Sequence, residues 1–122
     1  MNSLYIRILV IKMEEKWKKV EKIVEEVSGK EPDGIDAVLF LIGIQELGQG
    51  VRAFSKEEKQ DLMHIGICKI FSLEGYYSFT HTDDQGWPHY KCNERVPYRK
   101  MFQQDDLVKE FIVKYFESIE LI

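Results

Sequence analysis

The chain has 122 residues, of which 44% are hydrophobic and 31% are charged, and its formal net charge is −4. A chain of this size and composition is typical of one globular domain that buries a core without disulfide bonds. The acidic balance argues against a nucleic-acid binder that depends on overall positive charge, because duplex affinity comes mainly from Lys and Arg on phosphates. The two cysteines are typical of reduced thiols in a cytoplasmic protein.

Residues 1–12 are a largely apolar N-terminal extension with three possible interpretations. Residues 4–11 carry a single charge, Arg7, and no turn residue separates them from the helical pattern that follows. The extension could lengthen the first helix, form a strand, or lie upstream of a true start at Met13. Its apolar run is too short for a signal peptide, and no run in the chain reaches the ~20 residues that span a bilayer. The sequence therefore predicts a soluble, cytoplasmic protein with no membrane partner.

A helix over residues 3–28 would be about 39 Å long at 1.5 Å per residue, which exceeds the width of a bundle this small. Its first turns would overhang, and their apolar side chains would be exposed unless another chain covered them. A symmetric dimer is the commonest assembly that buries such a surface. Aromatic residues, which make up 12% of this chain, are enriched at interfaces. The predicted interface residues are Leu4, Ile8, Ile11, Trp87 and Tyr90.

The next two segments predict helices with different degrees of burial. The first helix ends near Gly29, a predicted C-terminal cap, and the second begins near Asp33. The second is apolar almost all round, so it is predicted to be the most buried helix. Gly43 in its middle costs about 1 kcal/mol relative to alanine, which indicates close helix–helix packing. The apolar stripe of the first helix comprises Met13, Trp17, Val20, Val24 and Val27.

Two further helices and a hairpin complete the predicted fold. Ser55 and Glu58 form a capping box at the start of the third helix, and the last helix spans residues 105–121, with two aspartates at its positive end. Residues 76–93 predict a β-hairpin with strands at 76–82 and 87–93, because alternating aromatic and β-branched residues flank a turn at 83–86. The fold class is therefore mainly α: a single helical domain over residues 1–122, four-helix bundle-like, with a β-hairpin inserted between helices 3 and 4.

The histidines and cysteines are the candidates for metal or thiol chemistry. The hairpin holds three of them together with an aspartate, but their spacing matches no strong zinc template. A His and a Cys lie four residues apart on helix three and could form a thiolate–imidazolium pair. The apolar context of that cysteine is more typical of core packing. We therefore predict no cofactor and no catalytic residue. The candidate ligands are His64, Cys68, His81, Asp83, His89 and Cys92.

A local basic cluster supports a third hypothesis, in which cations and neighbouring tyrosines bind single-stranded RNA weakly. The cluster comprises Lys91, Arg95, Arg99 and Lys100. A solvated face explains the same pattern, so nucleic acid is an unlikely partner on this interpretation. The leading hypothesis is a non-enzymatic protein that acts through protein–protein contacts as a homo-oligomer. A metal- or thiol-dependent enzyme is the alternative.

Overall fold

The computed structural model describes residues 3–96 and 103–122 of the chain. Within these residues the elements in chain order are α1 (Ser3–Ser28), α2 (Gly34–Leu47), α3 (Lys56–Ser72), β1 (Tyr77–Thr82), β2 (Pro88–Cys92) and α4 (Gln103–Ser118). The two strands pair as an antiparallel hairpin. The predicted fold class, mainly α with a hairpin between the third and fourth helices, is confirmed.

The main core lies where α2, α3 and α4 meet the C-terminal half of α1. Val20 and Val24 are the buried residues of α1, whereas Val27 is 64% exposed, so the apolar stripe leaves the core one turn before the helix ends. Apolar side chains of α2, α3 and α4 fill most of the interior. The largest fully buried side chains are Tyr115, Phe71, Ile42, Leu62, Ile70 and Ile112.

Two glycines let the backbones of α2 and α3 approach each other. A Cβ atom placed on Gly43 would lie far inside the contact distance of the Leu62 carbonyl. From the opposite helix, a Cβ atom on Gly66 would lie 2.5 Å from the carbonyl oxygen of Leu39. Both positions therefore exclude any side chain, which confirms that Gly43 marks close helix–helix packing.

Local hydrogen bonds fix the start of α3. The Ser55 hydroxyl accepts from the amide of Glu58 at 3.1 Å, and the Glu58 carboxylate accepts from the amide of Ser55 at 2.9 Å. This reciprocal pair is the predicted capping box, and it satisfies two amides at the exposed end of the helix. The first helix ends as predicted at Gly29, which has a left-handed φ of 82°.

The end of α4 differs from the prediction, because the helix ends at Ser118 rather than near residue 121. Glu120 adopts a left-handed φ of 62°. Its amide donates to the carbonyl of Glu117, and the amide of Leu121 donates to the carbonyl of Phe116, each at 3.0 Å. These two bonds form a Schellman motif with glutamate at the position that glycine usually holds. Helical spacing of apolar residues carries no information about this backbone reversal.

The hairpin folds against α3. Its turn is held by Asp83, whose carboxylate accepts from the amides of Gln85 at 2.9 Å and Trp87 at 3.0 Å. Gly86 completes the turn with a φ of 88°. Trp87 and Tyr90 then pack on a second small core formed by Leu47, Leu62 and Ile65. These two rings therefore help to hold the hairpin on the helices.

Candidate functional site

The N-terminal part of α1 extends past the rest of the domain. α1 has 26 residues, whereas the other helices have 14 to 17, so it exceeds them by at least about 13 Å. Residues 3–12 are all exposed, and the large apolar side chains among them are 42–61% exposed. We call residues 4–11 the apolar segment. Its exposed large side chains are Leu4, Tyr5, Ile6, Ile8, Leu9, Val10 and Ile11.

Contacts between α1 and α4 explain where the apolar segment begins to project. Lys16 forms an ion pair with Glu117 at 3.1 Å, and the ammonium of Lys109 lies 5.3 Å from the ring centre of Trp17. Met13 is packed at the edge of the core. N-terminal to Met13, the helix continues without entering the core. The segment is therefore a helix rather than a strand, one of the interpretations that the sequence left open.

The predicted interface residues fall into two groups. Leu4, Ile8 and Ile11 belong to the apolar segment and lie on the surface. Trp87 and Tyr90 are half-buried, and their rings contact the small core beneath the hairpin. The apolar segment is the larger exposed patch, and such patches usually mark binding surfaces. The interface role of both groups stays a prediction.

A polar cleft of about 340 Å³ lies between the first turns of α3 and the hairpin turn. It brings together three of the six candidate ligands, His64, Asp83 and His89. The Nε2 atom of His89 lies 2.8 Å from the Asp83 carboxylate, and the ring of His81 stacks on that of His89 with centres 4.7 Å apart. The side chain of Gln49 donates to the carbonyl of Gln85 at 2.9 Å, which fixes the turn beside the cleft.

The Asp83–His89 pair has the geometry of a carboxylate that orients an imidazole. The hydrogen bond from His89 and the amides of Trp87 and Gln85 lower the pKa of Asp83, so its carboxylate is charged at neutral pH. The two side chains are 35% and 49% exposed, and water therefore weakens the interaction. Among residues 3–96 and 103–122, no three His, Cys, Asp or Glu side chains are arranged to hold a metal ion.

The two cysteines lie in different surroundings. Cys68 is buried, and its Sγ atom lies 3.5 Å from Nε2 of His64. Burial raises the pKa of Cys68 to about 11, so the thiol stays protonated at neutral pH and lacks the thiolate that a nucleophile needs. Cys92 is exposed and donates to the carbonyl of Glu94 at 3.4 Å. The prediction that Cys68 packs in the core is confirmed.

Two of the four residues of the basic cluster belong to the described part of the chain. Lys91 and Arg95 are exposed at the end of the hairpin. Arg99 and Lys100 lie outside the described residues, so their predicted role in binding nucleic acid stays a prediction.

Sequence reasoning missed two surfaces. Glu58 and Asp61 line the polar cleft. Their helical spacing with His64 was visible in the sequence, but the docking of the hairpin beside them was not.

A second hollow of about 650 Å³ lies at the C-terminal end of α1, between α1, α2 and the end of α4. We call it the apolar groove. Its rim includes Ile119 and Val27, and periodicity had placed Val27 on the core stripe of the first helix. The rim and floor include Ile23, Val27, Ile44, Val51, Ile119 and Leu121.

None of the helices formed by the described residues has the length and hydropathy needed to cross a bilayer. No protein-family model matches the chain, and no curated protein or solved structure matches it significantly.

Proposed function

We propose that the protein acts in the cytoplasm through protein–protein contact, by self-association at the apolar segment. The observation that carries the proposal is the row of exposed large apolar side chains on residues 4–11 of α1. A helix that is apolar all round is normally buried among neighbours. Within the described part of the chain residues 3–12 are all exposed, and a second copy would bury them. Cyclic dimers are the commonest homo-oligomers.

The distribution of apolar residues favours a protein partner over a lipid surface. A helix that lies in a membrane interface has one apolar face and one strongly polar face. In the apolar segment, exposed aliphatic residues occur at consecutive positions such as Ile8, Leu9, Val10 and Ile11, so they surround the helix. Contacts on several sides suit insertion between other helices.

Sedimentation velocity across micromolar concentrations tests the proposal. We expect the full chain to form a dimer and a chain that starts at Met13 to be a monomer with the remaining helices intact by circular dichroism. The control is Leu73→Asp, which changes an exposed leucine far along the chain and should leave the dimer in place. A truncated chain that still dimerises would contradict the proposal. A monomeric full chain that floats with anionic lipid vesicles would replace the protein partner by a membrane surface.

The Asp83–His89 pair, in which the Nε2 atom of His89 lies 2.8 Å from the carboxylate, is the observation that favours a metal-dependent enzyme as the second candidate. On the leading proposal, elemental analysis of purified protein finds no stoichiometric transition metal. About one zinc per chain, lost in His89→Ala but kept in His64→Ala, would place a metal at the Asp83–His89 pair. That result would favour the second candidate.

A further inference from the structure

The two cysteines lie on opposite sides of the contact between α3 and the hairpin. Leu62 and Ile65 of α3 belong to the small core on which Tyr90 of β2 packs. Cys68 follows Ile65 by three residues, so it lies on the same face of α3. Cys92 follows Tyr90 by two residues, so its side chain lies on the same face of the strand. Both cysteines therefore continue the same helix–hairpin contact.

Hydrogen bonds at the end of the hairpin place Cys92 beside the C-terminal part of α3. The amide of Asn93 donates to the carbonyl of Tyr76 at 2.9 Å, and the amide of Tyr76 donates to the carbonyl of Phe71 at 3.2 Å. Phe71 lies three residues after Cys68, which is less than one helical turn. The chain next to Cys92 is thus anchored to the turn of α3 that follows Cys68.

The two thiols also act on each other and on a shared neighbour. Tyr77 pairs with Cys92 in the register of the hairpin. Burial raises the pKa of Tyr77, and the charges of Cys68 and Cys92 raise it further. Burial likewise raises the pKa of Cys68 to about 11, with Cys92 as the second cause. Charges shift a pKa in this way over short distances, so the two thiols are neighbours.

We propose that Cys68 and Cys92 form a reversible disulfide bond when the protein meets a peroxide, so that the hairpin becomes covalently tied to α3. Disulfides of cytoplasmic proteins are usually transient and often sense the redox state. A disulfide bond needs Cα atoms about 4.4–6.8 Å apart. Cys92 is the last residue of β2, so it can approach α3 while the earlier strand pairs stay in place.

The first step takes place at Cys92. Its side chain is exposed, whereas Cys68 is 2% exposed and protonated at neutral pH. The peroxide therefore reacts with the Cys92 sulfur, which gains an oxygen atom and becomes a sulfenic acid. Sulfur loses two electrons in this step, and the O–O bond breaks. Hydrogen peroxide leaves as water.

The second step uses the buried thiol and its histidine neighbour. The Sγ atom of Cys68 attacks the sulfenic sulfur of Cys92, so that an S–S bond forms and the S–O bond breaks. Nε2 of His64 lies 3.5 Å from Sγ of Cys68 and takes the proton of the attacking thiol. The leaving hydroxide receives that proton and departs as water. His64 thus supplies the base that a thiol with a raised pKa needs.

The disulfide bond would change the hairpin as a whole. It closes residues 68–92 into a covalent loop, which restricts the unfolded chain and stabilises the folded one. The hairpin turn also forms one wall of the polar cleft. Oxidation would therefore hold that wall against α3, and reduction would release it.

Peptide mapping tests the bond directly. The reduced full-length protein is treated with hydrogen peroxide, and the remaining thiols are alkylated after denaturation. We expect a chain lighter by two hydrogen atoms, without alkylation, whose Cys68 and Cys92 peptides are joined until dithiothreitol is added. The melting temperature should rise by about 5–10 °C on oxidation. Cys92→Ser, at an exposed position, is the control and should show neither change.

Two further variants separate the steps. Cys68→Ala removes the second thiol, so the sulfenic acid on Cys92 should persist and react with dimedone. His64→Gln should slow the formation of the disulfide bond by about tenfold or more and leave the first step unchanged. His81→Gln is the matched control, because this exposed histidine lies on β1 and hydrogen-bonds to Thr80.

Several outcomes would overturn the inference. A disulfide bond that joins two chains through Cys92 would show a surface thiol without an internal partner. Overoxidation of Cys92 to a sulfinic acid, with Cys68 still open to alkylation, would show that the two thiols do not meet. An unchanged rate in His64→Gln would remove the histidine from the second step. Neither cysteine belongs to α1, so sedimentation of the reduced protein tests the proposed self-association separately.

Discussion

The apolar segment of α1 and the helix α2 have similar residues and opposite environments. Both are apolar almost all round. α2 buries Val38, Leu39 and Ile42 between its neighbours, whereas residues 3–12 of α1 are exposed throughout. The difference is one of position: α2 is flanked by the other helices along its length, and α1 extends beyond them. A helix that is apolar all round therefore needs other protein surfaces to bury its side chains. The lengths of the neighbouring helices determine whether the same chain provides that burial.

The largest expected effect comes from one substitution made in both regions. Leu39→Asp buries a charge without a partner, because Leu39 is 4% exposed, and should cost more than about 4 kcal/mol of unfolding free energy. Leu9→Asp, at a residue that is 48% exposed, should change it by less than about 0.5 kcal/mol. Urea denaturation at concentrations that keep the chain monomeric measures both. Similar losses of unfolding free energy in Leu39→Asp and Leu9→Asp would contradict the difference in burial between α2 and the apolar segment.

Adding one methyl group at Gly43 tests how closely α2 is packed, in contrast to the exposed apolar segment. Gly43→Ala forces a Cβ atom against the Leu62 backbone, which cannot move as a flexible side chain would. We expect a loss of about 1–3 kcal/mol from overpacking, although the same change in an exposed helix gains about 1 kcal/mol. Ile6→Ala in the apolar segment, where volume is removed rather than added, should alter monomer stability by less than about 0.5 kcal/mol. A stabilised Gly43→Ala would show that the helices are further apart.

A smaller effect is expected at the end of α4, where the chain leaves the helix beside the apolar groove. Glu120 holds a left-handed conformation, which costs a non-glycine residue about 1–2 kcal/mol. Glu120→Gly should therefore stabilise the monomer by about 1 kcal/mol in thermal unfolding. Glu110→Gly, inside α4, should destabilise it by a similar amount. Destabilisation by both variants would contradict the observed reversal.

The smallest effect concerns the turn of the hairpin, where the Asp83 carboxylate accepts hydrogen bonds from two backbone amides. The folded-state pKa of Asp83 is lowered, first by His89. Its contribution is therefore complete above the unfolded pKa of about 3.9 and is lost as pH falls through the folded value. The difference in melting temperature between wild type and Asp83→Asn should shrink below about pH 4. The matched control is Asp84→Asn, the same substitution at the next residue of the turn.

Local signals predicted most of the fold. Ser55 and Glu58 are three residues apart, and the cap they form needs no distant contact. Gly43 was informative because a glycine inside an apolar helix has few explanations other than close packing. The end of α4 was not predictable, since Glu120 has no intrinsic preference for a left-handed backbone and only its hydrogen bonds show the reversal.

The candidate sites were predictable only in part. The helical continuity of residues 3–28 was sufficient to expect an overhang, because length alone determines it. The groove was not predictable, because Val27 and Ile119 follow the helical period of buried residues. Their exposure depends on where α2 and α4 end. The meeting of His64 with Asp83 and His89 likewise depends on how the hairpin docks on α3.

The close contact of α2 and α3 at Gly43 and Gly66 has a consequence for the order of folding. The two helices are joined by residues 48–55, and closing so short a loop costs little chain entropy. Their pairing is local, and local contacts form fastest. We expect this helical hairpin to form first and to shield its amides longest from exchange with deuterated water. In the monomer, the backbone amides in the first turns of α1 should exchange within the dead time of the measurement.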